Sequence, residues 1–141
     1  MTHIAALCLL ATAQLTTPQA VQRIPVCVEL AERAAERGFD PALIVSMAME
    51  ESRMDSRARS RAGARGVLQA IPKWHCPGGV ADGCDFVLAG LNAIGAWIER
   101  FGGDWLCHYN AGNVCGRRSL RYARRVRARA VGWRVRLEVG L

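Results

Sequence analysis

Hydrophobic and polar positions along the chain predict a protein built mainly of α-helices. Residues 26–38 (VCVELAERAAERG) form an amphipathic pattern that ends at Gly38, a favourable residue at a helix C-terminus. Residues 86–102 (FVLAGLNAIGAWIERFG) also repeat at helical spacing. The core candidates of that second helix are Phe86, Leu88, Leu91, Ile94, Trp97, Ile98 and Phe101. Residues 133–139 (WRVRLEV) alternate with period two, which predicts a frayed end or a single terminal strand.

A third predicted helix is apolar on every side. Asp40 is a good N-cap, Pro41 suits the first helical position, and the helix should run to about Met54. A helix that is apolar all round is a buried one, so this is the predicted central helix of the domain. Its apolar residues are Leu43, Ile44, Val45, Met47, Ala48 and Met49.

Two adjacent carboxylates, Glu50 and Glu51, end this apolar run. A carboxyl group in an apolar wall has its charged form disfavoured, so its pKa rises and it can donate a proton to a leaving oxygen. Successive helical residues lie about 100° apart, so only one of the two can point into a cleft, and the apolar pattern does not choose between them. The alternative is an ordinary surface glutamate at a helix end.

Between and after these helices the sequence predicts loops and short turns. Residues 55–66 are polar and contain glycines, which predicts a loop, and residues 67–74 (VLQAIPKW) predict a helical turn that ends near Pro72. Residues 75–84 predict a second loop, bounded by cysteines. A further helix should begin near Asp104, and a basic helix should start near Ser119.

The N-terminus predicts an export signal within residues 1–20. A short apolar core, Ile4–Leu10, precedes Ala11-Thr12-Ala13, so cleavage is expected after Ala13 or after Ala20. No lysine or arginine precedes the apolar core, and the alternative is a first helix that packs into the domain. No apolar run approaches the roughly 20 residues that span a bilayer, so no transmembrane segment is expected.

Six cysteines in 141 residues favour an oxidising compartment. Loss of Cys8 with the signal would leave five, which allows two bridges and one unpaired thiol. The cysteine and histidine spacings match no standard zinc pattern, so we expect no metal and no cofactor.

The net charge of +7 is concentrated at the C-terminal end, where residues 117–141 hold nine arginines and one glutamate. Residues 129–141 are interpreted as a basic tail. Such an end suits an anionic partner: a wall polymer, lipid headgroups, nucleic acid or another protein. No nucleic-acid motif accompanies the charge, so nucleic acid is not expected to be the partner. The alternative is a solvated helix face.

Two blocks of the sequence resemble one family. The first has a catalytic-segment pattern: Glu51-Ser52-Arg53-Met54, Ala58, Ser60, Gly63-Ala64, Gly66-Val67-Leu68-Gln69 and Pro72. The second is Tyr109-Asn110-Ala111-Gly112, followed by a looser block at 121–126. Over about residues 27–127 the chain resembles the soluble lytic transglycosylases (SLT family), and within it the small exported members associated with secretion and conjugation systems.

The resemblance implies a lysozyme-like α domain over residues 24–128, in which Glu51 is the catalytic acid and Glu50 its neighbour. It implies cleavage of the β-1,4 bond between N-acetylmuramic acid and N-acetylglucosamine, with closure to a 1,6-anhydro end. The substrate's own acetamido group stabilises the sugar cation, so one glutamate suffices where most glycosidases need two carboxylates. Four acids are therefore interpreted as loop and cap residues: Asp55, Asp82, Asp85 and Asp104.

By the same resemblance, Gln69, Tyr109, Asn110 and Ser60 are substrate-binding candidates, although Ser60 is better suited to shaping its loop. Amide and phenol groups can both donate to and accept from a sugar. Tyr109 could also orient Glu51 by a hydrogen bond; the alternative is a core tyrosine with a satisfied hydroxyl.

The resemblance also implies a Cys27–Cys84 bridge. Cys107 and Cys115 flank the second block and could clamp it, which would leave Cys76 unpaired. The competing pairing, Cys76–Cys84, is local and leaves Cys27 unpaired.

Three functions stay open at this point. The first is a lytic transglycosylase that opens the wall for a secretion, conjugation or virion assembly. The second is a hydrolytic muramidase on the same fold, and the third is a wall-binding assembly subunit in which catalysis is secondary. In each case we expect a periplasmic or extracellular location, which includes carriage on a virion.

Overall fold

The computed structural model describes residues 2–140, and these are mainly helical, as the sequence predicts, with no β-strand among them. The chain divides into two compact units. The first contains the chain up to Ser56 and again from Val126 onwards, and the second runs from Arg57 to Arg125. None of the described helices is both long enough and apolar enough to cross a membrane.

The first unit is a set of packed helices. Helices α1, α2 and α3 contact one another, and the C-terminal part of α7 belongs to the same unit. Their bounds are α1 His3–Thr12, α2 Thr17–Glu36, α3 Pro41–Ser52 and α7 Arg117–Val139.

Helix α1 falls within residues 1–20, the segment predicted to be an export signal. Leu7, Cys8 and Ala11 are buried, and Cys8 forms a disulfide with Cys27 of α2, with 5.7 Å between the Cα atoms. This is the conformation that the alternative interpretation describes, a first helix packed into the domain. Removal of residues 1–20 on export stays a prediction.

Helix α2 begins nine residues earlier than its apolar pattern indicates. Thr16 and Gln19 form a reciprocal capping box, which satisfies two backbone donors at the N-terminus. Pro25 lies inside the helix. Since proline usually ends or kinks a helix, the residues before Pro25 carry a local signal against the helix that forms there.

Helix α3 is the buried central helix of the first unit, as predicted. The Asp40 carboxylate accepts from the backbone N–H of Ala42 at 3.0 Å, and Ile44 to Met49 are all buried. The hydroxyl of Ser46 is fully buried and donates to the backbone carbonyl of Val126 at 2.8 Å. This bond ties α3 to the C-terminal part of α7.

The predicted terminal strand at residues 133–139 is wrong, because these residues continue α7. Val126 and Ala130 are buried and Trp133 is half-buried, at helical spacing, while Val135 and Val139 are exposed. Arg134 forms an ion pair with Asp40. What the sequence presents as a basic tail is therefore a packed helix of the first unit.

The second unit contains a loop, three α-helices and the beginning of α7. Residues 57–71 form the loop, which has isolated bridges between Arg59 and Arg65 and between Arg65 and Ala70. The helices are α4 Pro72–His75, α5 Phe86–Phe101 and α6 Trp105–Ala111, with single 3₁₀ turns at Pro77–Gly79 and Gly102–Asp104. Pro72 starts a helical turn instead of ending one, in the position where its missing N–H costs nothing.

Helix α5 supports the core of the second unit. Leu91 and Ile94 are buried as predicted, but Leu88 is 42% exposed, so its assignment to the core is wrong. The Asp85 carboxylate accepts from the N–H of Leu88 at 3.1 Å, which confirms Asp85 as a cap residue.

Two glycines allow close packing around Leu68. A Cβ atom on Gly90 would lie 2.7 Å from the Leu68 side chain, and one on Gly66 would lie 2.7 Å from Cβ of Phe86. Gly66 also has φ +79°, a left-handed conformation that favours glycine. Both glycines therefore hold the loop that contains Gln69 against α5.

All six cysteines form disulfides, and the pairing corrects the one implied by the resemblance. Cys27 pairs with Cys8 and not with Cys84, and Cys84 pairs with Cys76, which is therefore not unpaired. The Cys107–Cys115 bridge is present as predicted. The expected pairing differs because it removes Cys8 with the export signal. With Cys8 present, Cys27 has a partner on α1, and the local Cys76–Cys84 pair closes a short loop.

Candidate functional site

Glu51 lies in the last turn of α3, half-buried, immediately before an unusual backbone segment. Arg53 and Met54 both adopt left-handed conformations, with φ of 54° and 66°. Their N–H groups donate to Met49 at 3.1 Å and to Ala48 at 3.3 Å, and the Met54 side chain is fully buried. Left-handed non-glycine residues carry strain and are often retained at functional sites.

Arg23 of α2 secures this segment. Its guanidinium donates to the backbone carbonyl of Arg53 at 3.0 Å and lies 3.8 Å from the carboxylate of Asp55. Asp55 thus has a role in holding the helix end, which agrees with its interpretation as a loop residue.

Glu50, the neighbour of Glu51, forms an ion pair with an arginine of α7. Its carboxylate accepts from Nη2 of Arg129 at 2.9 Å, and Nη1 of Arg129 donates to the backbone carbonyl of Ser46 at 3.4 Å. The Glu50 and Arg129 side chains are only 18% and 28% exposed. This mostly buried, charge-assisted hydrogen bond links the end of α3 to α7 within the first unit.

The second unit contains a cavity of about 640 Å³, a volume in the usual range for small-molecule sites. It is formed by residues 69–75, by the last two turns of α5 and by residues 109–113. Its polar and aromatic lining residues are Gln69, Trp74, His75, Trp97, Arg100, Tyr109, Asn110 and Asn113.

Gln69 occupies the bend between the loop and α4, with a left-handed φ of 54°. Its side-chain nitrogen donates to the carbonyls of Ala58 at 3.2 Å and Gly66 at 2.8 Å. Both amide hydrogens are thus used within the loop. What Gln69 can offer a sugar in the cavity is the acceptor oxygen.

Tyr109 joins α6 to the same loop. Its hydroxyl donates to the backbone carbonyl of Leu68 at 2.6 Å, and Nδ1 of His108 lies 2.7 Å from the carbonyl oxygen of Gly112. Since a phenol has a single hydrogen, the Tyr109 oxygen can only accept from a further group. The hydroxyl thus holds one wall of the cavity in place.

An aromatic stack supports the wall formed by α5 and α6. The ring of Phe101 lies 3.5 Å from that of His108 and 5.6 Å from that of Trp97, centroid to centroid. The guanidinium of Arg100 lies 5.7 Å from the Trp97 ring and 5.0 Å from the Phe101 ring. Cation–π contacts of this kind orient a guanidinium without neutralising it.

His75 is a lining residue with an altered pKa. Burial lowers the pKa of its imidazole below the ordinary value of 6.5, because desolvation disfavours the charged form. At neutral pH His75 is therefore mostly neutral.

Three of the four predicted substrate-binding residues, Gln69, Tyr109 and Asn110, line this one cavity. Ser60 is not among its lining residues. The Ser60 hydroxyl instead accepts from the N–H of Ala64 at 3.0 Å and stabilises the loop.

Sequence reasoning missed five lining residues: Trp74, His75, Trp97, Arg100 and Asn113. Trp97 was interpreted as core, and the others fall outside every quoted motif. Glu51 belongs to the first unit and the cavity to the second, so a cleft shared by Glu51 with Tyr109 and Asn110 stays a prediction, as does a Tyr109–Glu51 hydrogen bond.

Comparison with known families decides the classification. The family model described as "Transglycosylase SLT domain" matches residues 29–131, about three quarters of the chain. The chain belongs to the SLT transglycosylase family. The matched range of this SLT domain contains Glu51, Gln69, Tyr109 and Asn110. No solved structure gives a significant match.

Membership of the family indicates an enzyme that cleaves glycosidic bonds in peptidoglycan. The three disulfides indicate folding in an oxidising compartment, as expected for an exported protein that acts on the cell wall.

Proposed function

We propose that this SLT-family protein is a peptidoglycan lytic transglycosylase in which Glu51 is the single acid and base. The bond cleaved is the β-1,4 bond between N-acetylmuramic acid and N-acetylglucosamine, and the product carries a 1,6-anhydro end. The main support is that the family match contains Glu51 at the end of a buried helix, next to a Glu50 held by Arg129.

In the proposed mechanism the protonated Glu51 carboxyl gives its proton to the glycosidic oxygen, and the bond to the anomeric carbon breaks. The acetamido group of the substrate stabilises the positive charge that develops on that carbon. The Glu51 carboxylate then removes the proton of the C6 hydroxyl, whose oxygen bonds to the anomeric carbon. Glu51 regains its proton, no water is consumed, and no second carboxylate is required.

The cavity of the second unit supports the binding side of the proposal. The amide oxygen of Gln69 and the amide groups of Asn110 and Asn113 suit sugar hydroxyl and acetamido groups, because those sugar groups both donate and accept. Trp74 is 69% exposed beside them, and a flat indole suits the apolar face of a sugar ring. We propose that these residues bind the glycan near the bond that Glu51 cleaves.

The decisive experiment incubates purified protein and its Glu51→Gln variant with peptidoglycan and identifies the released muropeptides by mass. We expect anhydro products from the wild type and a loss of about 10³-fold in rate for the variant, because the proton donor is gone. Glu50→Gln is the matched control: it makes the same change one residue away and should retain product formation.

Two results would contradict the proposal. Products heavier by one water, with reducing ends, would show a hydrolytic muramidase on the same fold. Equal activity of Glu51→Gln and wild type would remove Glu51 from the mechanism.

The third function, a wall-binding assembly subunit, draws support from the exposed arginines of α7. Arg117, Arg118, Arg121 and Arg124 lie within about one third of the helix circumference and are all exposed. A docking role for this face with a secretion, conjugation or virion assembly, in the periplasm or outside the cell, stays a proposal that is compatible with catalysis.

A further inference from the structure

The residues that line the cavity include basic groups but no acidic ones. No aspartate or glutamate lies among its lining residues, and the only basic groups are Arg100 and His75. Because burial lowers the pKa of His75, Arg100 provides the full positive charge of the lining at neutral pH. A cavity with a single cation and no acid favours an anionic group on its ligand.

Arg100 is placed to meet such a group. It lies in the last turn of α5, it is exposed, and none of the described carboxylates forms an ion pair with it. The rings of Trp97 and Phe101, which stack on each other, support its guanidinium at 5.7 and 5.0 Å. The stem is thus held against apolar surface while the fork of N–H donors remains available for a carboxylate.

We propose that Arg100 is a specificity-determining residue that binds a carboxylate of the muramic acid residue or of its attached peptide. This inference rests on the proposed function, since it takes a peptidoglycan fragment as the ligand. Muramic acid carries a lactyl ether whose carboxyl group is free in a bare glycan. In a peptide-bearing strand that carboxyl is an amide, and the free carboxylates belong to the peptide. Arg100 would bind either carboxylate through paired N–H···O bonds.

The test measures binding and not turnover, by isothermal titration calorimetry. The probes are the N-acetylglucosaminyl-N-acetylmuramic acid disaccharide, the same disaccharide with its tetrapeptide, and the methylamides of both, in which every carboxylate is neutral. None of these contains the bond that the enzyme is proposed to cleave. The proteins are wild type, Arg100→Gln, Arg100→Lys and the control Arg118→Gln, which removes an equal charge from an exposed position on α7.

We expect Arg100→Gln to weaken binding of a carboxylate-bearing probe about three- to tenfold, as for a partly exposed ion pair, with a smaller loss for Arg100→Lys. The methylamides should bind wild type and Arg100→Gln equally, and Arg118→Gln should behave as wild type. A loss seen only with the tetrapeptide probe identifies a peptide carboxylate, and a loss with the bare disaccharide identifies the lactyl group.

The proposal is overturned if Arg100→Gln leaves the affinity for both acidic probes unchanged, if it weakens the methylamides equally, or if no probe binds the wild type. Failure of the proposed function has a separate signature, because it would appear as absence of anhydro products from whole peptidoglycan. Melting temperatures of the variants show whether any loss reflects unfolding.

Discussion

Glu50 and Glu51 are two identical neighbours for which the sequence and the structure give different kinds of information. The sequence places both at the end of an apolar helix and gives no geometric reason to prefer either. The structure gives Glu50 an arginine partner on α7 at 2.9 Å. The family resemblance selects the other acid, Glu51, whose catalytic role stays a proposal.

The first prediction at this scale concerns stability. Glu50→Gln keeps the shape of the side chain but removes one charge of a mostly buried pair, which leaves Arg129 without its counter-ion. We expect a loss of about 1–2 kcal/mol in the free energy of unfolding, measured by urea denaturation. An unchanged free energy of unfolding would show that the Glu50–Arg129 pair does not stabilise the first unit.

A second residue-scale prediction concerns pH. The folded state holds the pKa of His75 below its ordinary value of 6.5, so the unfolded chain binds a proton more readily than the folded one. This contribution to stability is therefore fully present above pH 6.5 and is lost as pH falls below it. We expect the melting temperature of the wild type to fall more between pH 7.5 and 5.5 than that of His75→Gln. Equal falls in the two proteins would contradict this assignment.

At the scale of elements, alanine substitutions at one glycine of α5 and one glycine of α7 test how closely the loop of residues 57–71 packs on α5. An alanine at Gly90 would push its Cβ into the Leu68 side chain, whereas an alanine at Gly132 in α7 meets nothing within 4 Å. We expect Gly90→Ala to destabilise the protein by about 1–3 kcal/mol through overpacking. Gly132→Ala should stabilise it by about 0.5–1 kcal/mol, since alanine is the better helix former.

Thermal or chemical unfolding of these two variants measures both effects. Sugar binding should weaken in Gly90→Ala, because Leu68 also accepts the Tyr109 hydrogen bond. If Gly90→Ala is as stable as wild type, α5 and the loop are not in the close contact described here.

The buried helix was the element most fully predictable from sequence, since its cap, its first proline and its apolar circumference all agree. The first half of α2 was not predictable from sequence, because Pro25 is a residue that usually ends a helix. Residues 133–139 alternate in sequence, yet the packing of Val126 and Ala130 continues the helix through them. Local pattern cannot foresee such tertiary contacts.

The candidate site also contains residues that the sequence predicts and residues that it does not. Gln69, Tyr109 and Asn110 were found because they sit in motifs, and they line one cavity. Trp74, His75 and Arg100 lie outside those motifs and come to the cavity through the packing of α4 and α5. The spacing of these residues along the chain does not predict that they line one cavity.

At the scale of the whole molecule, each disulfide closes within one unit, which gives a direct prediction for peptide mapping. Trypsin cleavage of the non-reduced chain should yield peptide 1–23 linked to peptide 24–33 through Cys8 and Cys27. Peptides 74–100 and 101–117 should each be lighter than their reduced forms by two hydrogen atoms, since each contains a complete bridge.

A linked pair of peptides 24–33 and 74–100 would instead restore the Cys27–Cys84 bridge implied by the resemblance. The same map reports on the proposed signal. Cleavage after Ala13 would remove Cys8, so Cys27 would appear as an unpaired thiol in the mature protein.

The first unit is built from both ends of the chain, with the second unit inserted between them. Glu50 therefore meets Arg129 across 79 residues of sequence, and Ser46 meets Val126 across 80. Helix α3 therefore cannot complete these contacts until residues 126–129 fold back onto it. A fragment that ends before residue 126 lacks this support for the helix that contains Glu51. The central helix of the first unit thus depends on a segment that follows the entire second unit in sequence.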